Sequence, residues 1–363
     1  MKLKTALLGA ACAVAFAPSA FAERGADGNV NVLYWQAPST LNPYLSSGTK
    51  DVETASLILE GLAGFNEKGE VVARLADGVP TVENGGVAAD LTSITWKLQP
   101  GLLWSDGTPV TSADAKFTWE YCTHPEGGCA QGAKYEGVKS IDTPDDLTVV
   151  VTTSAPKPYL PGVVSLWYPV PKHVWDKLGD EYAANVDTMV SSGPFLLETW
   201  EKSNNKMTFI KNPTYTGPWQ AMVDRVEIDP SLGAPEVGLP AFMAGESDFS
   251  YLNAGQIPFV EQRFPGQIAK NAVFATSYLS FDLESPPFDN INVRKALMYA
   301  INRDEMTSTV LKDLAIPGKS LLPPGYPGYN ETITSQAVYD PDKARQFLAD
   351  AGYPNGEGFP EVE

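Results

Sequence analysis

The chain has 363 residues, with 26 Lys and Arg against 44 Asp and Glu and a formal charge of −18 at pH 7. Counterion-release binding to nucleic acid needs clustered cations, so a surface this acidic excludes nucleic acid as a partner. Its length suggests two or more domains with real cores, and 31 Gly and 30 Pro imply many turns.

Residues 1–22 read as a signal peptide. Lys2 and Lys4 form a basic start, Leu7 to Ala17 a short apolar core, and Ala20-Phe21-Ala22 a cleavage pattern, making Glu23 the expected mature start. The apolar run is too short to span a bilayer. A lipoprotein would use Cys12, but Gly9 stands where an aliphatic residue is required. Cleavage leaves 24 Lys and Arg against 44 Asp and Glu, a formal −20. No later run is long and apolar enough for a membrane helix, so an exported, soluble chain in the periplasm is expected. Processing also leaves two cysteines, Cys122 and Cys129, with a turn-rich Thr-His-Pro-Glu-Gly-Gly between them. In an oxidising compartment that spacing favours a local disulfide. Free thiols are the alternative, and a metal site with His124 would need more ligands than the neighbourhood offers.

In chain order, Asn29–Trp35 alternates as a strand and runs into Ala37-Pro-Ser-Thr-Leu-Asn-Pro43, where two prolines enforce an irregular path. Asp51–Leu62 carries Val52, Ala55, Leu59 and Leu62 on one helical stripe. Ser93–Leu98 and Leu147–Thr153 read as strands. Between them, Trp104–Val110 is a turn, and Thr111-Ser-Ala-Asp114 starts a helix with Phe117 and Tyr121 on its apolar face. Val170–Asp176 leads into a short helix. Ser192–Trp200 and Lys206–Lys211 form a hairpin through Ser203–Asn205, and Val223–Ile228 adds a third strand. Leu239–Met243 reads as helix capped by Gly245, and Asp248–Leu252 as a short strand.

Tyr278–Phe288 organises the rest. Leu279, Phe281 and Leu283 alternate with Tyr278, Ser280 and Asp282, the period of a strand with one buried face, until Pro286 and Pro287 stop it. From Asn292 the period becomes helical, with Val293, Leu297 and Ala300/Ile301 on one stripe. A strand leaving one compact unit and opening a helix in another reads as a lobe crossing. Asn302–Glu305 then starts a further helix, with Met306, Val310 and Leu311 expected inside, and Asp340-Pro341 opens the last one.

Ten blocks in order resemble the solute-binding subunits of oligopeptide and dipeptide ABC importers, the peptide/nickel-type family. They are Ser39–Pro43, Leu59–Leu62, Leu98–Thr111, Ser192–Phe195, Lys211–Pro213, Ala244–Glu246, Pro286–Phe288 with Val293–Leu297, Ala300–Arg303, Leu322–Gly325 and Ala349–Tyr353. The resemblance implies an α/β, bilobal periplasmic-binding-protein-like fold, with mixed sheets flanked by helices and an inter-lobe cleft. It implies lobe I over 23–64 and 186–280, an extra subdomain over 65–185 packed on lobe I, and lobe II over 281–363. Family members continue well past the equivalent of Glu363, so lobe II is expected to be incomplete, and the acid that grips a peptide's amino terminus would lie beyond it. The Cys122/Cys129 insertion and the Val82–Gly86 loop mark a subgroup.

The implied activity is capture of a peptide or other small-molecule ligand and its delivery to an ABC permease and ATPase complex, by a monomer, without catalysis or a cofactor. The ligand wall implied by position is Trp35 and Gln36 at the end of the first strand, Tyr251 and Asn253 after Asp248, and Tyr278 on the crossing strand. Tyr278 also falls on the polar side of its strand, which agrees independently. Trp104, Phe117 and Trp119 read as core, and Ser105-Asp106-Gly107 as a structural turn. Oligosaccharides or a metal chelate are the alternative ligands, since the same fold hosts them. A secreted hydrolase is a distant alternative. With only His124 and His173, no histidine lies near a glycine-flanked serine, no H-E-x-x-H exists, and Gly318-Lys-Ser320 lacks the earlier glycine of a phosphate loop.

Overall fold

The computed structural model describes residues 25–362, apart from 67, 159–161, 163, 165, 166, 233, 270–274, 327, 331 and 333–337. The expected signal segment, with Cys12 and the cleavage after Ala22, lies outside the described residues. Two compact units divide the chain, Met1–Tyr251 and Leu252–Glu363. The elements belong to the α/β class expected of the chain. Among the described residues no helix is long and apolar enough to cross a membrane.

The first unit runs through β1 (Asn29–Leu33), α1 (Thr49–Ala55), the short pair β2 (Ala63–Phe65) and β3 (Val71–Ala73), and β4 (Ser93–Lys97). It continues with α2 (Ser112–Thr123), β5 (Val138–Asp145), β6 (Thr148–Thr153), α3 (Lys172–Leu178), β7 (Phe195–Glu201), β8 (Lys206–Lys211), β9 (Arg225–Asp229) and α4 (Pro235–Ala244). A mixed sheet has the order β1-β9-β8-β7, with β1 parallel to β9 and the other pairs antiparallel. Leu197, Met207, Phe209, Val226 and Ile228 bury its core face. A second, antiparallel sheet has the order β4-β6-β5 and buries Ile94, Trp96, Ile141, Val149 and Val151. The start of α2 is a complete capping box: Thr111 and Asp114 each bond the other's backbone N–H. Trp104 is fully buried, while Phe117 and Trp119 are half-buried against the same core.

Two expected elements of this unit are cut short by distant hydrogen bonds. The helix predicted over 51–62 ends at Ala55. The next residues leave the helix because Ile58 O accepts from Ser192 N and Gly193 N, and Leu57 O from Phe195 N. A side chain on Gly193 would come within 2.9 Å of the Ile58 backbone, so only glycine lets the two segments meet this closely. The strand predicted over 248–252 is reduced to one parallel bridge, Val32 to Phe249. There the Asp248 carboxylate, rather than a backbone carbonyl, accepts the Asn31 N–H at 2.8 Å, which takes over the ladder's work.

Cys122 and Cys129 form a disulfide across the end of α2, with Cα atoms 4.9 Å apart. Closing so short a loop restricts the unfolded chain by about 2.5 kcal/mol in the chain-entropy account. Replacing both cysteines with serine is expected to lower the urea midpoint accordingly. An unchanged midpoint would show that the bond constrains nothing the fold needs.

The second unit contains α5 (Ile257–Arg263), α6 (Ile291–Ala300) and α7 (Pro341–Asp350). Asn290 and Asp340 cap α6 and α7 through their side chains, at Asn292 N and Lys343 N. The two helices pack through Val293, Ala296 and Ala344, and Tyr299 stacks on Phe347 at 5.6 Å. Tyr278–Leu283 is not a strand but irregular chain, with Tyr278, Leu279 and Leu283 at 59–70% exposure. A strand exists only where a second edge takes its N–H and C=O groups, and no described residue pairs with this one. Met306 and Val310 are exposed rather than inside. After one α-turn at Arg303–Glu305 the chain winds as a π-helix over Met306–Val310, which rotates the stripe and buries Thr307 instead.

Candidate ligand-binding wall

The candidate site on the first unit stands at the carboxyl end of β1, the end of an α/β sheet where ligands ordinarily bind. Leu33 and Tyr34 close the strand into the core, with Tyr34 N bonded to Asp229 O at the end of β9. Trp35 comes next and turns outward: it is 45% exposed, whereas Trp96 and Trp104 are fully buried. Its ring leans on Tyr34 at 6.0 Å between centroids. Gln36 follows, also exposed.

The loop after Gln36 is held by one carboxylate. Asp51, buried on α1, accepts from Ser39 N at 2.6 Å, Ser46 Oγ at 2.6 Å and Lys50 Nζ at 2.9 Å. Burial pushes the Asp51 carboxyl up, but the bonds from Ser46, Lys50, Ser39 and Thr40 together hold it below the usual range. The turn behind Trp35 is therefore fixed to α1 while Asp51 is ionised.

Two further rings complete the wall. The Phe249 bridge lays its chain beside β1, and Phe249 and Tyr251 meet edge to face at 5.2 Å, 46% and 36% exposed. The Tyr34 hydroxyl donates to the Glu53 carboxylate on α1. Burial, and then Glu53, push the Tyr34 phenol well above its ordinary value, and the same two causes raise Tyr251. Tyr34 thus stays a donor, and Glu53 places a negative charge beside the exposed rings.

Of the residues singled out from the sequence, Trp35, Gln36 and Tyr251 belong to the first unit, and Trp35 and Tyr251 gather around Tyr34 and Glu53. Asn253 and Tyr278 belong to the second unit. The Asn253 side-chain oxygen accepts from Gln256 N, and Asn253 N donates to the Gln256 side-chain oxygen, a turn that leads into α5. Tyr278 is 70% exposed. Tyr34, Glu53 and Phe249 were missed. Strand parity could have found Phe249 beside Tyr251, but nothing local joins Tyr34 to a residue 19 positions on. Of the two histidines, His173 pairs through Nε2 with Asp106 at 2.7 Å, and His124 Nδ1 accepts from Glu126 N. Among the described residues no group of three or more His, Cys, Asp or Glu is placed to hold a metal ion.

The sequence model for bacterial extracellular solute-binding proteins, family 5 (middle region), matches residues 70–361. A relative from Escherichia coli (strain K12), named "Probable deoxycholate-binding periplasmic protein YgiS", is 30% identical over 340 residues, 87% of this chain and 62% of that protein. The glutathione-binding protein GsiB of Pectobacterium atrosepticum is 27% identical over 328 residues, 88% of this chain and 60% of its own length. The chain thus spans less than two thirds of either relative. A crystal structure of a periplasmic oligopeptide-binding protein from Borrelia burgdorferi superposes with a TM-score of 0.82 at 26% identity, over 92% of this chain and 68% of that one.

Proposed function

Because this chain belongs to family 5 of the bacterial extracellular solute-binding proteins, we propose that it captures peptides outside the cytoplasm for an ABC importer. In this reading residues 1–22 direct export and are removed after Ala22, and the protein hands its ligand as a monomer to a membrane permease and its ATPase. Trp35, Gln36 and Tyr251 are its ligand contacts on the first unit, joined by Phe249, and Asn253 and Tyr278 are contacts on the second.

The observation that carries the reading is the exposed ring wall at the end of β1 with the Glu53 carboxylate beside it. Rings cover apolar side chains at about 25 cal/mol per Å² whatever the sequence, and their polar tips bond backbone groups. A carboxylate at that wall attracts a ligand with a cationic end, such as a peptide amino group. It repels deoxycholate, whose own charge is negative, so the ligand in the Escherichia coli relative's name is not carried over.

Calorimetry on protein stripped of carried ligand tests this, with a peptide pool, an oligosaccharide pool, deoxycholate and a nickel–histidine chelate as titrants. Saturable heat from peptides alone is expected, with the binding isotherm giving a free energy of roughly −8 kcal/mol for micromolar affinity. Heat from any other titrant without heat from peptides would overturn the peptide assignment, and peptide cleavage during the titration would return the protein to the hydrolases.

A further inference from the structure

The loop that leaves the ligand wall is braced a second time, by a segment far away in sequence. Cys129 is tied to the end of α2 through Cys122, and the two residues after it reach the wall loop. Ala130 N donates to Tyr44 O at 2.7 Å, and the Gln131 side-chain amide donates to Ser46 O at 2.7 Å. Tyr44 is itself buried, with its hydroxyl donated to Tyr168 O at 2.7 Å, so the brace ends on a fixed part of the core. Gln131 and Ser46 are 85 residues apart, so their bond closes no local turn.

Ser46 is where this brace meets the first one. Its carbonyl takes the Gln131 amide, its hydroxyl donates to Asp51 at 2.6 Å, and the same hydroxyl oxygen accepts Gly48 N at 2.9 Å. Asp51 in turn holds Ser39 N at 2.6 Å. The wall segment is thereby gripped by α1 at both ends. Glu53 takes the Tyr34 hydroxyl just before Trp35 and Gln36, and Asp51 takes Ser39 N just after them. Trp35 and Gln36 lie exposed between the two grips. A half-exposed ring has little packing of its own, so the chain on either side decides where it stands.

We propose that Gln131 is a positioning residue for peptide binding: through Ser46 and Asp51 it fixes the pose of Trp35 and Gln36, and the Cys122–Cys129 bond holds Gln131 in place. The proposal rests on the peptide-capture reading of the wall. Gln131 acts without touching the ligand. A ring that is already ordered does not have to be ordered on binding, a difference of about fivefold in affinity for one large side chain.

The test is a double-mutant cycle read by calorimetry on the full chain, with a peptide drawn from the pool that binds wild type. Gln131→Met keeps the length of the side chain and removes its N–H donors. It should weaken the peptide about fivefold. Ser46→Ala cuts the next link while leaving the Gln131 bond to its carbonyl, and should act in the same direction. Neither should weaken binding further once Trp35 is replaced by alanine, because no ring is left to position. Unchanged affinity in both Gln131→Met and Ser46→Ala would overturn the proposal. So would losses that add in full to that of Trp35→Ala, the mark of residues that merely support the fold. If no peptide binds wild type, or if Trp35→Ala binds as well as wild type, the wall reading itself fails and takes this proposal with it.

Discussion

Arg74→Ala is expected to lower the unfolding free energy by about 3 kcal/mol at pH 7, the lower end of the range for breaking a buried ion pair. Arg74 follows β3 and bonds Glu60 at 2.9 Å, with side-chain exposures of 24% and 5%. Tyr215 donates to the other Glu60 oxygen, Glu60 N donates to Ser192 Oγ, and the guanidinium lies 4.1 Å over the Trp219 ring. Removing the cation leaves a buried carboxylate with one phenol for company. The lower end applies because Arg74 is partly wet and its loss admits water.

The pH dependence follows from the sign of the Glu60 shift. Burial is the largest influence and raises its pKa above 4.5, although Tyr215 and Arg74 pull it down. The folded state therefore holds the proton more tightly than the unfolded one, and Glu60's contribution to stability falls as pH rises from 4.5 through the folded pKa. Without Arg74 that pKa moves higher still. The gap between wild type and Arg74→Ala should narrow as pH falls from 7 toward 4.5, because protonating Glu60 removes the charge that Arg74 balances. Urea midpoints at the two pH values measure it. A gap that stays constant would mean that the pair is incidental and that Arg74 matters through packing on Trp219.

What could be read in the sequence was what is decided within a few residues. The Thr111–Asp114 box, the Asp340-Pro341 start and the left-handed Gly245 cap each close on their own neighbours, so their letters suffice. The early end of α1 could not be read, because it is set by Ser192 and Gly193, more than a hundred residues away. The same holds for Asp248, whose carboxylate displaces a strand ladder at Asn31. At Tyr278–Leu283 the alternation is genuine, but alternation specifies only which face would be buried, not that a partner edge exists. The wall divides along the same line. Trp35 and Tyr251 were singled out by their position beside the Leu-Asn-Pro turn and after Asp248, and the fold places both near Tyr34 and Glu53. Tyr34 and Glu53 depend on how the phase of α1 meets the end of β1, which no local pattern encodes.

Trp35→Ala is expected to weaken peptide binding by roughly thirtyfold. A ligand laid on that half-exposed ring would remove on the order of 80 Å² of apolar surface from water, worth about 2 kcal/mol at 25 cal/mol per Å². Tyr251→Ala should cost about tenfold, since the ring is smaller and already leans on Phe249, and Tyr251→Phe should cost less. Glu53→Gln separates charge from shape: it should weaken peptides with a free amino terminus and leave amino-acetylated ones unchanged. The same free-minus-acetylated difference in wild type should shrink with added salt, because Glu53 is exposed and such a charge is screened within about 10 Å at 0.1 M ionic strength. Tyr34→Phe frees Glu53 from its hydroxyl partner and should strengthen the preference for free termini while lowering the rigidity that positions it. If free and acetylated peptides bind wild type equally, Glu53 does not select the ligand's charge. If Trp35→Ala binds as well as wild type, the wall is solvent-facing surface and the ligand lies elsewhere.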